Sequence, residues 1–343
     1  MINKILFITL SNIGDVILTL PVLDYLREEF PNGKITVLAG PRPKEIFQGN
    51  PHINRLIIYD KNYRLKEKIK LFNTLKEERF DMVVDLRNSF LGAFLPAQKK
   101  TSPFLVIPKD IKHAKDRHLY RISPPSFQTS LGEGGQKSRI PNSSLYIKPE
   151  DEEYIKNILR ENNITGQDKI IIISAGARSH IKRWAQDKFV ELIPPLIKEF
   201  GVKIVLVGDN DDAYINKYIV QHSRYPIVDL SAKTNIAELA SLLKKSKLLI
   251  TNDSATLHLA SYLKIPIVAI FGPTNEIKYG PWSGIYSIAK KDIFCRPCEE
   301  AQCRFGTLKC MQLIKTEDVL RQARRILIPN TEHRTPNTEY KRI

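Results

Sequence analysis

Cysteine is scarce in this 343-residue chain, and all four cysteines lie between positions 295 and 310. A secreted disulfide scaffold distributes its cysteines through the fold, so this pattern excludes that class and favours a cytoplasmic protein. Long apolar runs are also missing, because no stretch reaches the roughly 18 apolar residues that a membrane-spanning helix requires. The apolar segment 1–10 is short and leads into a glycine loop, so we expect a buried first strand and not a signal peptide.

Acidic residues are too few to balance the basic ones, since 37 Asp and Glu face 53 Lys and Arg and leave a net charge of +16. This excess favours a polyanionic partner, which includes nucleic acid, acidic lipid and anionic glycan. No interleaving of aromatic and basic residues and no recognition helix supports nucleic acid. The densest basic stretch, residues 99–121, holds seven basic residues against two acids. For any single lysine there, a solvated surface position is the simpler interpretation.

Apolar segments alternate with helical segments in both halves of the chain, which predicts two parallel sheets covered by helices on both faces. In the first half we predict strands at 4–10, 34–39, 55–59 and 82–86, with helices at 16–30 and 66–78. In the second half we predict strands at 169–174, 203–207, 247–251 and 266–271, with helices at 187–200, 235–244 and 254–263. Ligands of such sheets bind outside the carboxyl ends of the strands.

The segments between and after the two halves set the domain limits. Residues 122–146 are rich in proline, glycine and serine and predict a loop, a helix follows at 150–162, and the polar stretch 163–167 predicts a hinge. The polar segment 329–343 predicts a disordered tail. We therefore predict an α/β fold of two doubly wound, Rossmann-like domains, residues 1–165 and 166–328, that face each other across an interdomain cleft.

The first candidate site residues follow the first strand, in the sequence Ser-Asn-Ile-Gly-Asp at 11–15. The segment has one glycine, which excludes the dinucleotide fingerprint, but its backbone N–H groups can hold an anion. Asp15 can act as a general base facing the cleft, or it can simply cap the helix, and the spacing alone favours the cap.

Further candidates follow the strands of the second half. Asp253 and Ser254 stand at a helix start with His258 one turn later, a position suited to a diphosphate, although Asp253 can be only a cap and His258 an ordinary buried histidine. The neighbouring rim loop holds Gly272, Pro273 and Thr274. Lys182 can neutralise a leaving diphosphate or be a solvated loop lysine. The acids Asp209, Asp211 and Asp212 can bind ribose hydroxyls or favour a helix start electrostatically.

Taken in order, these motifs resemble glycosyltransferase family 9, the lipopolysaccharide heptosyltransferases. The resemblance extends over roughly residues 1–325 and rests on the ordered set: Asn-Ile-Gly-Asp-Val at 12–16 with Thr-Leu-Pro at 19–21, His113-x-x-Asp116-Arg117, Lys182-x-Trp184, Gly208 followed by acids, Thr-Asn-Asp-Ser at 251–254 with His-Leu-Ala at 258–260, and Phe-Gly-Pro-Thr at 271–274.

The resemblance implies a GT-B fold and a metal-independent inverting transfer of heptose from ADP-heptose to the inner core of lipopolysaccharide. It implies that Asp15 is the general base and that Lys182 contacts the donor phosphates. The implied donor-binding residues are Asp212, Asp253, Ser254, Ala255, His258, Gly272, Pro273 and Thr274, and the implied acceptor-binding residues are Asn12, Gly14, Lys112, His113, Arg117 and Arg121. The family often has glycine where this chain has Ala255, which leaves the donor less securely defined than the fold.

The acceptor that the resemblance implies is an anionic, lipid-linked oligosaccharide, which gives the basic segment 99–121 a role. It also implies peripheral contact with the cytoplasmic face of the inner membrane, and no nucleic-acid partner. No cofactor is expected for catalysis.

Cys295, Cys298, Cys303 and Cys310 have the spacing C-x2-C-x4-C-x6-C. Four thiolates match the ligand number and type of a structural zinc site, and two disulfides or four free thiols are also compatible with the spacing. Similar clusters occur in some members resembling the second-heptose enzymes, and we expect this one to lie outside the active site.

Two other functions remain compatible with the sequence. One is a related GT-B enzyme that uses another nucleotide sugar or epimerises it, although an epimerase needs no acceptor site and leaves the basic segment without a role. The other is a non-enzymatic polyanion-binding protein, which would bind DNA with a steep salt dependence.

Overall fold

The computed structural model describes residues 2–122, 144–282 and 284–328. Its first domain contains a parallel sheet of order β3-β2-β1-β4-β5, formed by β1 (Lys4–Ile8), β2 (Lys34–Ala39), β3 (Arg55–Ile58), β4 (Met82–Asp85) and β5 (Lys99–Lys100). The strand order reverses beside β1, so the loops after β1 and β4 leave the sheet at its topological switch point. Ligands bind at such points, and the segment 11–15 follows β1 directly.

Helices cover both faces of this sheet. They are α1 (Ile13–Ile17), α2 (Leu20–Glu29), α3 (Lys44–Phe47), α4 (Leu65–Glu77), α5 (Phe90–Phe94) and α6 (Ala114–Tyr120), followed by α7 (Pro149–Glu161). The face under α4 and α5 buries a small apolar cluster that includes Leu6, Ile8 and Leu75. The opposite face belongs to a much larger apolar cluster that continues into the second domain.

The helix predicted at 16–30 is two helices, α1 and α2. Pro21 lies in the first turn of α2, where a backbone N–H has no partner within the helix, so the missing N–H of proline is tolerated there. In the interior of a single helix over 16–30, proline would break a backbone hydrogen bond. At the break, the buried Thr19 hydroxyl lies 2.7 Å from the Val16 carbonyl and 2.8 Å from the Thr9 hydroxyl. The break lets α1 end within the cleft while α2 packs along the sheet.

The second domain repeats the architecture with a six-stranded parallel sheet of order β11-β10-β9-β6-β7-β8. Its strands are β6 (Lys169–Ser174), β7 (Val202–Leu206), β8 (Ile227–Asp229), β9 (Leu248–Asn252), β10 (Ile267–Phe271) and β11 (Tyr286–Lys290). A 3-10 turn at His180–Lys182 precedes α8 (Gln186–Phe200), and further helices are α9 (Ala213–His222), α10 (Ile236–Lys244), α11 (Ala255–Tyr262), α12 (Glu276–Tyr279), α13 (Lys309–Gln312) and α14 (Thr316–Leu327).

The predicted α/β fold of two Rossmann-like units is confirmed, and every predicted strand is present with its ends shifted by two residues at most. Most of the predicted loop 122–146 and the whole tail 329–343 lie outside the described residues. Within the described part of the chain, no helix is both long enough and apolar enough to cross a membrane.

Helix α7 packs against both domains and forms a hydrogen bond to the second domain. Its buried Ile155 and Leu159 belong to the apolar cluster that both domains share, and its Tyr154 hydroxyl donates to the Lys233 carbonyl at 2.8 Å. A second polar tie joins the Tyr262 hydroxyl on α11 to the Asp24 carboxylate on α2 at 2.7 Å. The domains therefore meet over a packed and hydrogen-bonded interface on one side of the cleft.

Candidate active site

Asp15 lies in α1 at the switch point of the first sheet, and its side chain is half-buried. The interpretation of Asp15 as the helix cap is wrong, because Asn12 occupies the cap position and Asp15 is the third residue of the helix. The Asn12 amide Nδ2 donates to Asp15 Oδ2 at 2.8 Å, and Arg178 from the second domain donates to Asn12 Oδ1. Asn12 thus orients the carboxylate and connects it to the facing domain.

Gly14 allows α1 to approach the first turn of α11 closely. A Cβ at Gly14 would lie 3.2 Å from His258 Cδ2 and 3.5 Å from Ala255 Cα. Both contacts cross from the first domain to the second. The Ala255 methyl group, which marks the departure from the family pattern, therefore faces Gly14 and the first domain.

Two histidines, His258 and His118, lie within electrostatic reach of Asp15. His258 is buried, stacks on Trp282 with ring centroids 5.8 Å apart, and its Nδ1 has no hydrogen-bond partner within the described residues. Burial lowers the pKa of His258 to about 4, and the Asp253 and Asp15 carboxylates oppose that shift. The imidazole is therefore neutral at physiological pH and can both donate and accept a hydrogen bond.

His113 connects the domains from the start of α6. Its Nδ1 accepts the Lys115 N–H at 3.2 Å, so Nε2 carries the proton and donates to the Gly280 carbonyl at 3.0 Å. Burial lowers the pKa of His113. The predicted acceptor residue His113 is thus already held by two backbone groups of the protein.

His118, which no sequence motif identifies, lies on α6 within electrostatic reach of Asp15. Burial lowers the pKa of His118 to about 4, the Arg121 charge adds to the effect, and Asp15 opposes it. Its Nδ1 lacks a partner among the residues described. His118 matched none of the motifs, and a lone histidine on a short basic helix gives no signal in sequence.

Lys182 and Asp253 form an ion pair across the carboxyl edge of the second sheet, with Lys182 Nζ 2.7 Å from Asp253 Oδ2. The Asp253 side chain is only 6 % exposed and the Lys182 side chain 32 % exposed, so the ammonium keeps an open side. Asn252 fixes this loop, because its Nδ2 donates to the Ala175 carbonyl at 2.7 Å. The Asp253 carboxylate is therefore an anchor for Lys182, and Asp253 is not the helix cap.

Ser254 occupies the cap position of α11 but makes no side-chain cap hydrogen bond, and its hydroxyl lies 3.1 Å from the Thr251 hydroxyl. The first N–H groups of α11 are thus left without a capping side chain, beside Lys182. A helix start in this state is suited to an anionic group.

Asp212 fills the space above two glycines at the carboxyl ends of β6 and β7. A Cβ at Gly176 would lie 1.9 Å from Asp212 Cγ, and one at Gly208 would lie 2.7 Å from Asp212 Cβ. Burial raises the pKa of Asp212, Asp209 adds to the effect, and Arg183, with Nη2 3.8 Å from Asp212 Oδ1, opposes it. The carboxylate lies at the same sheet edge as Asp253.

The loop Gly272–Pro273–Thr274 is held mainly by residues 295–310, the cysteine segment. The Gly272 carbonyl accepts from Arg296 Nε at 2.6 Å, and the Pro273 carbonyl accepts from the N–H groups of Cys298 and Glu299 at 3.0 and 3.1 Å. Met311 occupies the space beside Gly272, since a Cβ there would lie 2.2 Å from Met311 Sδ. Gly272 is therefore required for packing, whatever it contacts in the cleft.

The basic residues predicted to bind the acceptor lie on and beside α6. Lys112 is exposed, Arg117 Nη1 donates to the Ile111 carbonyl at 3.2 Å, and Arg121 Nη1 donates to Asn88 Oδ1 at 2.8 Å. Asn88 belongs to the loop after β4, which the buried Asp85 shapes by accepting from the N–H groups at 87 and 89. Burial lowers the pKa of Arg121, and the neighbouring Arg117 adds to the effect.

The four cysteines are free thiols that line one cavity of about 460 Å³ behind the Gly272 loop. Burial raises the pKa of Cys310, and the other three thiols add to the effect. Their number and chemistry match a zinc site. However, no group of three or more Cys, His, Asp or Glu in the described ranges is arranged to hold a metal ion.

The site thus combines a half-buried carboxylate on one domain with an ion pair, an uncapped helix start and a buried histidine on the other. Two facing Rossmann-like domains with such a cleft define the GT-B class of glycosyltransferase. The family model described as glycosyltransferase family 9 (heptosyltransferase) matches residues 140–309. The chain belongs to glycosyltransferase family 9, and the non-enzymatic interpretation is set aside.

Relatives extend this match into the first domain. Lipopolysaccharide heptosyltransferase 3 of Escherichia coli is 29 % identical over 289 residues, which cover 79 % of this chain and 83 % of the relative. Lipooligosaccharide heptosyltransferase 2 of Campylobacter jejuni is 26 % identical over 322 residues, covering 92 % and 95 %. The solved structure of E. coli ADP-heptose LPS heptosyltransferase II has a TM-score of 0.70 at 21 % identity, covering 94 % of this chain and 98 % of that one.

Proposed function

We propose that this enzyme transfers heptose from ADP-heptose to the inner core of lipopolysaccharide with inversion at the anomeric carbon. The named activities of the relatives support the sugar and the acceptor, and the name of the E. coli structure supports the nucleotide. The observation that carries the proposal is the position of Asp15, which lies on one domain within electrostatic reach of His258 on the other, and the Lys182–Asp253 pair acts on the same histidine.

In the proposed reaction, Asp15 accepts the proton of the acceptor hydroxyl. The hydroxyl oxygen then forms the new bond to the anomeric carbon as the bond from that carbon to the diphosphate oxygen breaks, and ADP leaves with the electron pair. Asn12 holds the Asp15 carboxylate in place through its 2.8 Å hydrogen bond. A carboxylate fixed in this way acts without reorganisation during the reaction.

The second domain stabilises the leaving group in this proposal. Lys182, positioned by Asp253, neutralises the diphosphate, and the uncapped N–H groups at Ser254 and Ala255 donate to it. Neutral His258 donates a hydrogen bond to the donor, Asp212 binds the ribose, and the loop Gly272–Pro273–Thr274 closes the rim. No metal ion takes part in the transfer.

The first domain binds the acceptor. Lys112, Arg117 and Arg121 attract its anionic groups, while Gly14 and His113 shape the boundary with the donor. Because the acceptor is lipid-linked, the enzyme works in peripheral contact with the cytoplasmic face of the inner membrane.

Asp15→Asn tests the proposal. It should reduce kcat by about 10²-fold or more, the scale expected for a lost general base, with little change in the KM for ADP-heptose. The assay is ADP release with ADP-heptose and a deacylated inner-core acceptor, and NMR of the product tests inversion. Asp110→Asn, a change of the same charge at an exposed position, is the matched control and should leave kcat unchanged. A kcat for Asp15→Asn close to that of the unaltered enzyme would rule out the proposed base.

We further propose that Cys295, Cys298, Cys303 and Cys310 bind a structural zinc ion. Because the thiols line one cavity without ligating geometry, binding requires the segment to close around the ion. Elemental analysis should find about one zinc per chain, the stoichiometry of a four-thiolate site, and Cys298→Ser should lose it. Equal metal content in both proteins would contradict this proposal without affecting the transferase.

A further inference from the structure

An apolar groove opens on the first domain between α4 and α5. The cavity measures about 780 Å³ and is lined largely by apolar side chains, among them Ile8, Leu38, Leu71, Phe72 and Leu91. The groove is the outer side of the small cluster under α4 and α5. This face of the sheet is therefore thinly covered compared with the face that joins the second domain.

Large apolar side chains are exposed on α4 and on the segment that follows β5, two elements beside this groove. Leu65 and Ile69, one turn apart on α4, are 72 % and 51 % exposed, beside Lys68, which lines the groove. Segment 101–108 after β5 exposes Phe104 by 90 % and Val106 by 84 %, and Lys100 ties the start of this segment to α5 through the Ala93 carbonyl at 3.0 Å. Single exposed apolar residues are ordinary, but several around one apolar groove indicate an interaction surface.

The charge around the groove is strongly positive. Residues 61–77, up to the end of α4, contain six basic residues (Lys61, Arg64, Lys66, Lys68, Lys70 and Lys76) and two acids, Glu67 and Glu77. Within the described ranges, none of the lysines at 66, 68 and 70 forms an ion pair. Arg87 adds a cation inside the groove, 5.2 Å from the centre of the Tyr59 ring. Apolar side chains between lysines match the boundary between headgroups and acyl chains of an anionic bilayer.

The groove also lies on the edge of the sheet where the reaction takes place. Ile8 ends β1 and lines the groove, and Asn12, the cap residue of α1, follows four residues later. A bilayer against this face would therefore lie beside the sheet edge that carries Asp15.

We propose that α4, its groove and segment 101–108 form a docking surface for an anionic phospholipid bilayer. The inference rests on the proposed function in one respect, that the acceptor is lipid-linked and must be reached at a membrane. Leu65, Ile69, Phe104 and Val106 enter the boundary region, while the lysines of α4 contact the headgroups.

Flotation of the full chain with vesicles tests this surface without any substrate. Vesicles of phosphatidylcholine containing phosphatidylglycerol should bind the protein, and pure phosphatidylcholine vesicles should bind it much less. The double variant Leu65→Ser/Ile69→Ser should reduce binding to the anionic vesicles by about fivefold or more, since both side chains lose their apolar contact. Ile277→Ser/Ile285→Ser, which changes two exposed isoleucines of the second domain, is the matched control and should bind like the unaltered protein.

Equal binding by the α4 variant and the unaltered protein would overturn the proposal, as would equal loss in the control variant or equal binding to neutral vesicles. Transfer to a deacylated, water-soluble acceptor separates this proposal from the proposed function. The α4 variant should retain kcat with that acceptor, whereas absence of transfer in the unaltered protein would reject the function and leave vesicle binding as it stands.

Discussion

Burial decides the protonation state of the two histidines nearest to Asp15. Both His118 and His258 have pKa values lowered to about 4, chiefly because burial disfavours the imidazolium. The negative charge of Asp15 raises each histidine pKa, but the lowering caused by burial is larger. Because neither ring carries a permanent positive charge, neither histidine forms an ion pair with Asp15, the proposed general base.

The lowered pKa of His258 makes stability depend on pH. Because this pKa in the folded state is below the ordinary value of 6.5, the unfolded chain takes up the proton first, and stability falls as pH drops from about 6.5 toward 4. Between pH 8 and pH 5 the loss from this residue should be about 2 kcal/mol. His258→Phe keeps an aromatic ring against Trp282 and removes the titration. Urea unfolding at both pH values should show a smaller acid loss in the variant, and an equal loss would contradict the assignment.

The sequence motifs identified polar residues of the candidate site, but they did not predict which residues contact one another there. Asp15, Lys182 and Asp253 follow strands in recognisable order, so the sequence alone selects them. The ion pair of Lys182 with Asp253 spans 71 positions of sequence and depends on how two loops meet, which spacing does not predict. Trp282, which stacks on His258, was missed because it belongs to no strand or helix.

At the level of secondary structure, the contact between α1 and α11 brings the two halves of the site together. Gly14→Leu tests it, because a Cβ there would already lie 3.2 Å from His258 Cδ2. Overpacking typically costs about 1–3 kcal/mol, so kcat/KM should fall roughly tenfold or more as the domains are held apart. Gly166→Leu is the matched control, because no heavy atom lies within 4 Å of a Cβ at Gly166. An unchanged kcat/KM for Gly14→Leu would show that catalysis does not need this approach.

The cysteine segment and the Gly272 loop form a second such contact. Gly272→Ala should destabilise the protein by about 1–3 kcal/mol, because the new methyl group would overlap Met311, whose Sδ lies 2.2 Å from that position. The double variant Gly272→Ala/Met311→Ala should lose less than the sum of the single variants, since the cavity left at 311 accepts the methyl group. Urea unfolding of all four proteins measures the coupling. Additive losses would show that the overlap is relieved elsewhere.

The long apolar strands and amphipathic helices were predictable because each carries its own periodicity. The short elements were not: β5 has two exposed lysines, and α5 and α12 have only five and four residues. Helix α14 is different, because its sequence is strongly amphipathic and buries Val319, Leu320 and Ala323 on one face, so its periodicity does predict a helix that was missed. The short elements lack such a stripe. Tertiary packing, not local propensity, stabilises elements of this kind.

At the scale of the whole molecule, the two sheets share one continuous apolar core. The same cluster contains Ile5 and Val37 of the first sheet and Leu249 and Ile267 of the second. Helix α7, which follows the described part of the first domain, adds Ile155 and Leu159 to it. A cleft that opens on one side of a shared core favours hinge-like closure over free rotation of the domains.

The shared core leads to a prediction about nucleotide binding. At about a hundredfold excess over its Kd, ADP should raise the free energy of unfolding by about 2.7 kcal/mol, and it should do so for both domains at once because they unfold together. Both tryptophans, Trp184 and Trp282, belong to the second domain, so their fluorescence reports on that domain while far-ultraviolet circular dichroism reports on both. The two signals should therefore move together when ADP is added, and UDP and GDP should have little effect. If ADP shifts the fluorescence transition but leaves an earlier dichroism transition in place, the core does not couple the domains; if UDP or GDP gives the larger shift, the transferase uses a different donor.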